Sequence, residues 1–398
     1  MELGTNSMKS LFMLDSDITY LNHGSFGACP KEIFSALVKW QEVMEKDPVK
    51  HLAFDVFKHL EKSREALSLY VNCHKDDLAF FPNPSTALNT ALRSLDLKKG
   101  DEILTTNHEY GAMDRAWRFL CKKTGAIYIN QKISLPLTSK EQFIHDFKKG
   151  ITKNTKVIFL SHITSPTALI FPVKEICEIA RERNIITIID GAHAPAQINV
   201  AILDINPDFY CGACHKWMCS PKGVAFLYVK KEFQKRIEPL VISWGYEADN
   251  PSHSQFLDYL QWQGTYDMSA YLTIPDTIDF LKKHNWNELT QKCHKLNIWA
   301  KDKIVSELGI DSLCSDSFLG QMSSFYFDFK DPLSDQNKMD FYNKYQIQVP
   351  FMSWNNKTLF RISIQAYNNE QDIYKLIEAL KDYQKEKKER NEIGRAHV

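Results

Sequence analysis

The chain has 398 residues, 44% of them apolar and 25% charged, the profile of a soluble globular protein long enough for two or three domains. Its 49 basic side chains balance 49 acidic ones, with a pI of about 7.2, and this neutrality argues against nucleic-acid or membrane-surface partners. No apolar run reaches the ~20 residues that span a bilayer, and Met1 to Ser7 lack the basic and apolar stretches of a secretion signal.

Ile18-Thr19-Tyr20-Leu21 is a short strand that runs into a Gly-rich loop, Asn22 to Gly27. Pro30 then opens a helix, a position that suits it because its missing N–H is not needed there. Helical patterning continues to Val43, and a second helix covers Phe54 to Val71. Leu78 to Phe81 reads as a strand, Asn83 to Thr86 as a turn, and a helix follows through Leu95 and closes at Gly100. Further strands are expected at Asp101–Thr105, Ala126–Ile129, Lys156–Ser161, Ile185–Ile189 and Val224–Val229, with helices at Met113–Thr124 and Val173–Arg183. Strands alternating with helices of about 10–15 residues argue for an α/β domain with a mostly parallel sheet. Near-continuous apolar strands agree, since such a sheet is covered on both faces.

After Thr265 the pattern changes. Long amphipathic helices cover Tyr271–His284 and Asn287–Leu308, followed by a strand at Ser323–Phe329, a helix at Ser334–Tyr345, a strand at Leu359–Ser363 and a last helix from Glu370 to about Lys388. The expected division is a large α/β domain over residues 30–265 and a smaller α+β domain built from residues 1–29 and 266–391. Residues 392–398, Glu-Ile-Gly-Arg-Ala-His-Val, read as translated adapter sequence and are set apart as a non-native scar. Nine cysteines show no disulfide-framework spacing, and Cys211 and Cys214 form a C-x-x-C with no second pair. Reduced thiols in a cytoplasmic protein are expected, with no metal.

Two stretches carry chemistry. The apolar run ending at Asp190 places a carboxylate at a strand end, with His193 three residues on. Lys216 lies in a turn punctuated by Gly212, Pro221 and Gly223, between two strand-like runs. Alone, Asp190 reads equally as a strand-end cap and Lys216 as a solvated turn lysine. Together they are what a pyridoxal phosphate (PLP) enzyme needs: an amine for the Schiff base, and a carboxylate that keeps the pyridine nitrogen protonated. Ser85 and Thr86 begin a helix, whose free N–H groups suit a phosphate, although Ser85 also reads as a plain N-cap. Tyr110 follows a strand and could lie flat on an aromatic cofactor. His162 to Ser165, Thr164 among them, follow another strand and could reach a ring hydroxyl.

Over residues 12–390 the sequence resembles the class V, fold-type-I PLP enzymes, in the isopenicillin N epimerase-like branch. The resemblance is carried by Tyr20-Leu21-Asn22-His23-Gly24-Ser25-Phe26-Gly27, Asn83-Pro84-Ser85-Thr86-Ala87, His108-Glu109-Tyr110-Gly111-Ala112, Asp190-Gly191-Ala192-His193, His215-Lys216-Trp217, Pro221-Lys222-Gly223, Gly264-Thr265 and Arg361-Ile362-Ser363. It implies Lys216 as the Schiff-base lysine, Asp190 as the pyridinium partner, Ser85, Thr86 and His215 at the phosphate, Tyr110 stacked on the ring and His193 near the ring hydroxyl. It also implies Arg361 on the substrate α-carboxylate, with Asn22 and Ser25 on the substrate side. Gly264 and Thr265 would reach the site of a second subunit, which implies a homodimer. Two residues depart from the pattern: Ala213 stands where a polar residue is common, and Tyr266 where an arginine is common.

The leading expectation is an epimerase or racemase that removes and returns a proton at Cα of an amino acid or a derivative of one. A C–S lyase of the sulfoxide-lyase kind and an aminotransferase share the first step and stand as alternatives. A scaffold without activity would usually have lost Lys216 or Asp190, and both are present. Between Ser315 and Arg361 there is no cysteine to act as the persulfide nucleophile of a cysteine desulfurase. Substrate choice is expected in the loops around Asn22–Ala28, Trp244–Pro251 and Val349–Trp354, whose Phe26, Trp244, Phe351 and Trp354 make an apolar pocket or an interface core.

Overall fold

The computed structural model describes residues 8–327 and 334–396. The chain begins with strand β1 (Thr19–Tyr20), helices α1 (Lys31–Lys46) and α2 (Val56–Tyr70), strand β2 (Leu78–Phe81) and helix α3 (Pro84–Arg93). Strand β3 (Glu102–Thr106), helix α4 (Gly111–Thr124), strand β4 (Ile127–Gln131), helix α5 (Lys140–Lys148) and strand β5 (Thr155–Ser161) follow. Helix α6 (Val173–Arg181) leads to strands β6 (Ile186–Gly191), β7 (Phe209–Ala213) and β8 (Ala225–Val229). Next come helices α7 (Gln255–Gln261), α8 (Ile274–Lys283) and α9 (Trp286–Leu308), strand β9 (Met322–Tyr326) and helix α10 (Asp335–Tyr345). Strands β10 (Ile347–Gln348), β11 (Phe351–Trp354) and β12 (Lys357–Ser363) precede the last helix, α11 (Glu370–Ala396).

The central sheet has seven strands in the order β2-β8-β7-β6-β5-β3-β4. The pairs from β7 to β4 are all parallel, and β8 runs against both of its neighbours. This is the expected α/β architecture with a mostly parallel sheet. The apolar strands are explained by burial on both sides. In β5, Ile158 and Leu160 join one buried cluster and Val157 and Phe159 another, and Leu78 and Phe80 of β2 likewise alternate with Ala79 and Phe81. A period of two puts successive side chains on opposite faces, and here both faces are covered.

A second, three-stranded antiparallel sheet has the order β11-β12-β9. β1 pairs in parallel with β10, and Asn22 forms a bridge with Ser363 at the end of β12. The amino-terminal segment therefore lies against the carboxyl-terminal strands.

Several boundaries differ from expectation for local reasons. The turn at Asn83–Thr86 is the first turn of α3, since Pro84 is accommodated at the helix start. The helix expected at Tyr271–His284 is divided: a turn at Ser269–Leu272 precedes α8, whose first turn contains Pro275. Helices α5 and α7 were not read from the sequence, although Ser139 and Ser254 each cap one by accepting a backbone N–H. The sequence predicts a loop at Val349–Trp354; it contains strand β11, which among the described residues pairs with β12 alone. The strand expected at Ser323–Phe329 ends at Tyr326, with Asp328 and Phe329 outside the described residues. The last helix continues through residue 396, and His397 and Val398 of the terminal heptapeptide lie outside the described residues. No helix among the described residues is long and apolar enough to cross a membrane.

Candidate active site

Strands β3, β5, β6 and β7 point the same way, so their carboxyl ends and the loops that follow share one edge of the sheet. Ligands in open α/β sheets bind at this edge. A cavity of about 220 Å³ opens there, and Lys216, Asp190, His193, His215, Ser85 and Tyr110 all line it. These six residues, all singled out from sequence, are thus brought together from four separate segments.

Lys216 is the centre of the arrangement. Burial and then the Arg361 charge pull its pKa down to about 8, against the opposing effect of Asp190. Its Nζ lies 3.1 Å from His193 Nε2. Trp217 Nε1–H donates to His193 Nδ1 at 3.4 Å, so the neutral imidazole carries its proton on Nε2 and directs it at the lysine nitrogen. That contact suits a neutral amine, which has a lone pair to accept it. Burial, then Lys216 and Arg361, hold His193 well below the usual imidazole range. Asp190 is buried at the end of β6, where its Oδ1 accepts the Ala192 N–H at 3.0 Å. Burial raises its pKa, partly offset by that hydrogen bond and by Lys216.

At the other end of the cavity the start of α3 is organised by Asn83. Its Oδ1 accepts the Thr86 N–H at 2.9 Å and the Thr86 hydroxyl at 3.1 Å. The N-cap is therefore Asn83, one residue before Pro84, and not Ser85; the Thr86 hydroxyl donates to the cap, and Thr86 is not among the residues that line the cavity. Ser85 does line it. His215 faces the same region, with Nδ1–H donating to the Val224 carbonyl at 2.8 Å. Burial, then Lys216, push its pKa down to about 4.

Arg361 on β12 is 2% exposed, and burial lowers its pKa to about 10. One terminal nitrogen donates to the Ser165 carbonyl at 2.6 Å and the other to the Ser25 hydroxyl at 3.3 Å, while Nε has no partner. Among the described residues no carboxylate pairs with it. A guanidinium buried without a counter-charge is costly, and an incoming carboxylate would relieve that cost. Arg361 lies behind Ser25 and Ser165, which line the cavity. Asn22 sits next to it, accepting the Ser25 hydroxyl at 2.5 Å.

The loop after β5 departs from expectation. Thr164 Oγ1 accepts the Leu169 N–H at 2.9 Å and bonds Thr167, so it stabilises its own turn and does not line the cavity. His162 likewise turns toward the Tyr210 hydroxyl at 2.9 Å. Ser161 and Ser165 are the hydroxyls that reach the cavity from this strand.

Tyr110 is half exposed at the start of α4. The residue before it, Glu109, belongs to the same His108–Ala112 motif and has no role in the sequence reading. Glu109 is buried; Oε2 accepts the Ser161 N–H at 2.9 Å and hydroxyl at 2.6 Å, and Oε1 accepts the Thr106 hydroxyl at 2.6 Å. It ties the Tyr110 loop to the end of β5. Burial raises its pKa to about 7 despite the three donors.

Gly264 and Thr265 do not reach this cavity in their own chain. Thr265 instead lines a second, mostly apolar cavity of about 740 Å³ with Val49, Phe57, Trp244 and Trp262. Tyr266 packs edge-on against Tyr271 within the chain, 6.2 Å between centroids, and burial raises its pKa. Ala213 is fully buried at the end of β7. All nine cysteines are free thiols, and none lines the Lys216 cavity.

These groups fit pyridoxal 5′-phosphate: a helix start with Ser85 for the phosphate, a buried carboxylate for the ring nitrogen, and an amine of lowered pKa for the aldehyde. Residues 28–376 match the profile of the aminotransferase class-V family. The chain is 29% identical over 388 residues to an isopenicillin N epimerase of Amycolatopsis lactamdurans, covering 94% of this chain and 96% of the relative. It is 23% identical over 383 residues to a hercynylcysteine sulfoxide lyase of Schizosaccharomyces pombe, covering 95% and 97%. Among solved structures, a C-DES variant with glycine covalently linked to its PLP cofactor has a TM-score of 0.80 at 17% identity, covering 92% of this chain and 96% of that one. The apo cysteine desulfurase of Thermococcus onnurineus NA1 has a TM-score of 0.79 at 18% identity, covering 96% and 98%. The chain belongs to the aminotransferase class-V family, and its cofactor is pyridoxal 5′-phosphate.

Proposed function

We propose that the protein is an epimerase or racemase that inverts Cα of an amino acid or an amino-acid-derived substrate. When bound, PLP withdraws electrons from the bond being broken at Cα. In this reading the Lys216 amine holds the cofactor until the substrate amine displaces it, and then takes the Cα proton. Asp190 keeps the ring nitrogen protonated. Ser85, with its hydroxyl and N–H at the start of α3, and His215 hold the phosphate. Arg361 receives the α-carboxylate, with Asn22 and Ser25 beside it. The observation that carries the reading is that two proton-bearing groups, Lys216 and Tyr110, line one cavity from strand ends separated by β5 and β6. A planar ring between them would have a donor on each side, as inversion needs.

A C–S lyase is the second reading, favoured by the relative named as a hercynylcysteine sulfoxide lyase. A persulfide relay has no support, since no cysteine lines the cavity. Incubating the protein with a panel of amino acids in heavy water tests the two readings. Inverted substrate carrying deuterium at Cα supports the epimerase; keto acid with ammonia or a sulfur product contradicts it.

Two further results are expected. Arg361→Lys keeps the charge but loses the fork, and should raise KM by about 10–100-fold at unchanged cofactor occupancy, the scale of a charge-assisted hydrogen bond. Loss of PLP in that variant would contradict the carboxylate role. In cofactor-free protein, the rate of covalent attachment of added PLP should rise about tenfold per pH unit and level off above about pH 8, where the Lys216 amine is neutral. A plateau only above pH 10 would contradict the lowered pKa.

We also propose a homodimer in which Gly264 and Thr265 reach the partner's site. That neither lines its own Lys216 cavity supports this, as do the exposed Val49, Phe57 and Trp244 that share a cavity with Thr265.

A further inference from the structure

The turn that carries Lys216 is held by residues that come from far away in sequence. His23 is fully buried, and its Nε2 lies 3.0 Å from the Lys216 carbonyl oxygen. A carbonyl can only accept, so Nε2 carries the ring proton. Nδ1 is then a bare acceptor, and the Tyr367 hydroxyl donates to it at 2.8 Å. The Gln365 amide nitrogen, 3.3 Å from Nε2, can only donate, and the Cys219 sulfur lies 3.8 Å away, so the Lys216 carbonyl at 3.0 Å is the nearest acceptor for the Nε2 proton. Burial, with a smaller contribution from Lys222, pushes the His23 pKa down to about 3 and keeps the ring neutral.

The same segment grips the turn on either side of the lysine. Gly27 approaches the His215 carbonyl so closely that a Cβ would lie 2.1 Å from its oxygen, and its φ of +71° suits glycine. Lys222 Nζ donates to the Gly27 carbonyl at 2.9 Å. Ser25, between them, touches Arg361. The Lys216 carbonyl also accepts the Cys219 N–H at 3.0 Å within the turn, and the His23 bond is the hydrogen bond made to it from this distant segment.

We propose that His23 is a positioning residue for Lys216: its Nε2–H bond to the Lys216 carbonyl fixes the backbone from which the amine reaches the cofactor aldehyde. The inference rests on Lys216 being the lysine that binds PLP. In the step at issue the amine nitrogen adds to the aldehyde carbon, both of its protons leave with the aldehyde oxygen as water, and a carbon–nitrogen double bond remains. Small misplacement of a reacting atom slows such a step strongly.

The test uses the full chain stripped of cofactor, with added PLP, borohydride quenching and mass mapping of Lys216. The amide nitrogen of glutamine can stand near Nε2, whereas that of the shorter asparagine stands near Nδ1. His23→Asn should slow attachment about tenfold, the order of one lost hydrogen bond. His23→Gln and Tyr367→Phe should stay within about threefold of wild type. Affinity for pyridoxamine 5′-phosphate, which has no aldehyde, should be unchanged in all three. Wild-type attachment in H23N, equal slowing in H23Q, or a parallel loss of pyridoxamine phosphate affinity would each overturn the proposal. Nitrogen NMR of histidine-labelled wild-type protein is independent of any folding defect: a neutral His23 protonated at Nε2 supports it, and protonation at Nδ1 overturns it. If wild type forms no adduct at Lys216, the lysine assignment fails and the inference with it.

Discussion

Lys216→Ala is expected to abolish borohydride-fixed PLP and to lower turnover by at least about 10³-fold, because one side chain is assigned both the covalent attachment and the Cα proton transfer. The fold should survive, since burial already disfavours the ammonium and its removal gives up the contact with His193. Lys222 supplies the internal control. It is the other lysine of the turn, and its Nζ is occupied by the Gly27 carbonyl at 2.9 Å. Borohydride labelling at Lys222 would overturn the assignment of Lys216.

The second large effect is expected at Asp190. Asp190→Asn keeps the shape and can keep the hydrogen bond from the Ala192 N–H, but it cannot hold a proton on the ring nitrogen by charge. Turnover should fall by about 10²-fold or more, comparable to the loss of a preorganised electrostatic contact. Stability should move the other way. Burial raises the Asp190 pKa in the folded state, so its ionisation at neutral pH costs folding free energy, a cost that asparagine does not carry. The cofactor-free variant should therefore melt higher than cofactor-free wild type, by about 2 °C for each kcal/mol recovered. A variant that is slower and less stable in the absence of PLP would show that Asp190 supports the fold rather than the cofactor.

What could be read from the sequence was what adjacent residues decide. Asp190 at the end of an apolar strand and Lys216 in a Gly- and Pro-marked turn are local patterns, and the alternation of β5 and β6 with helices brings them to one edge of the sheet. Where a side chain has two plausible partners, the nearer one often takes it, and a strand–loop pattern does not reveal which. Thr86 turned to Asn83 and Thr164 to Thr167, both within three residues, instead of to the cavity. Tyr266 turned into its own chain against Tyr271. Contacts between distant segments left no local trace: His23 and Lys216 are 193 positions apart. Glu109 was visible in its motif, but its role depends on Ser161, which only the pairing of β3 with β5 brings alongside.

The most direct test of two-sided proton transfer is the ratio of Cα deuterium exchange to inversion in heavy water, compared between wild type and Tyr110→Phe. The phenol is the cavity-lining group assigned to the face opposite Lys216. The expected result is exchange within a few-fold of wild type and inversion slowed by about 10²-fold, the lower end of what a positioned acid contributes. Equal slowing of both, or unchanged inversion, would contradict the assignment of Tyr110 as the second proton donor.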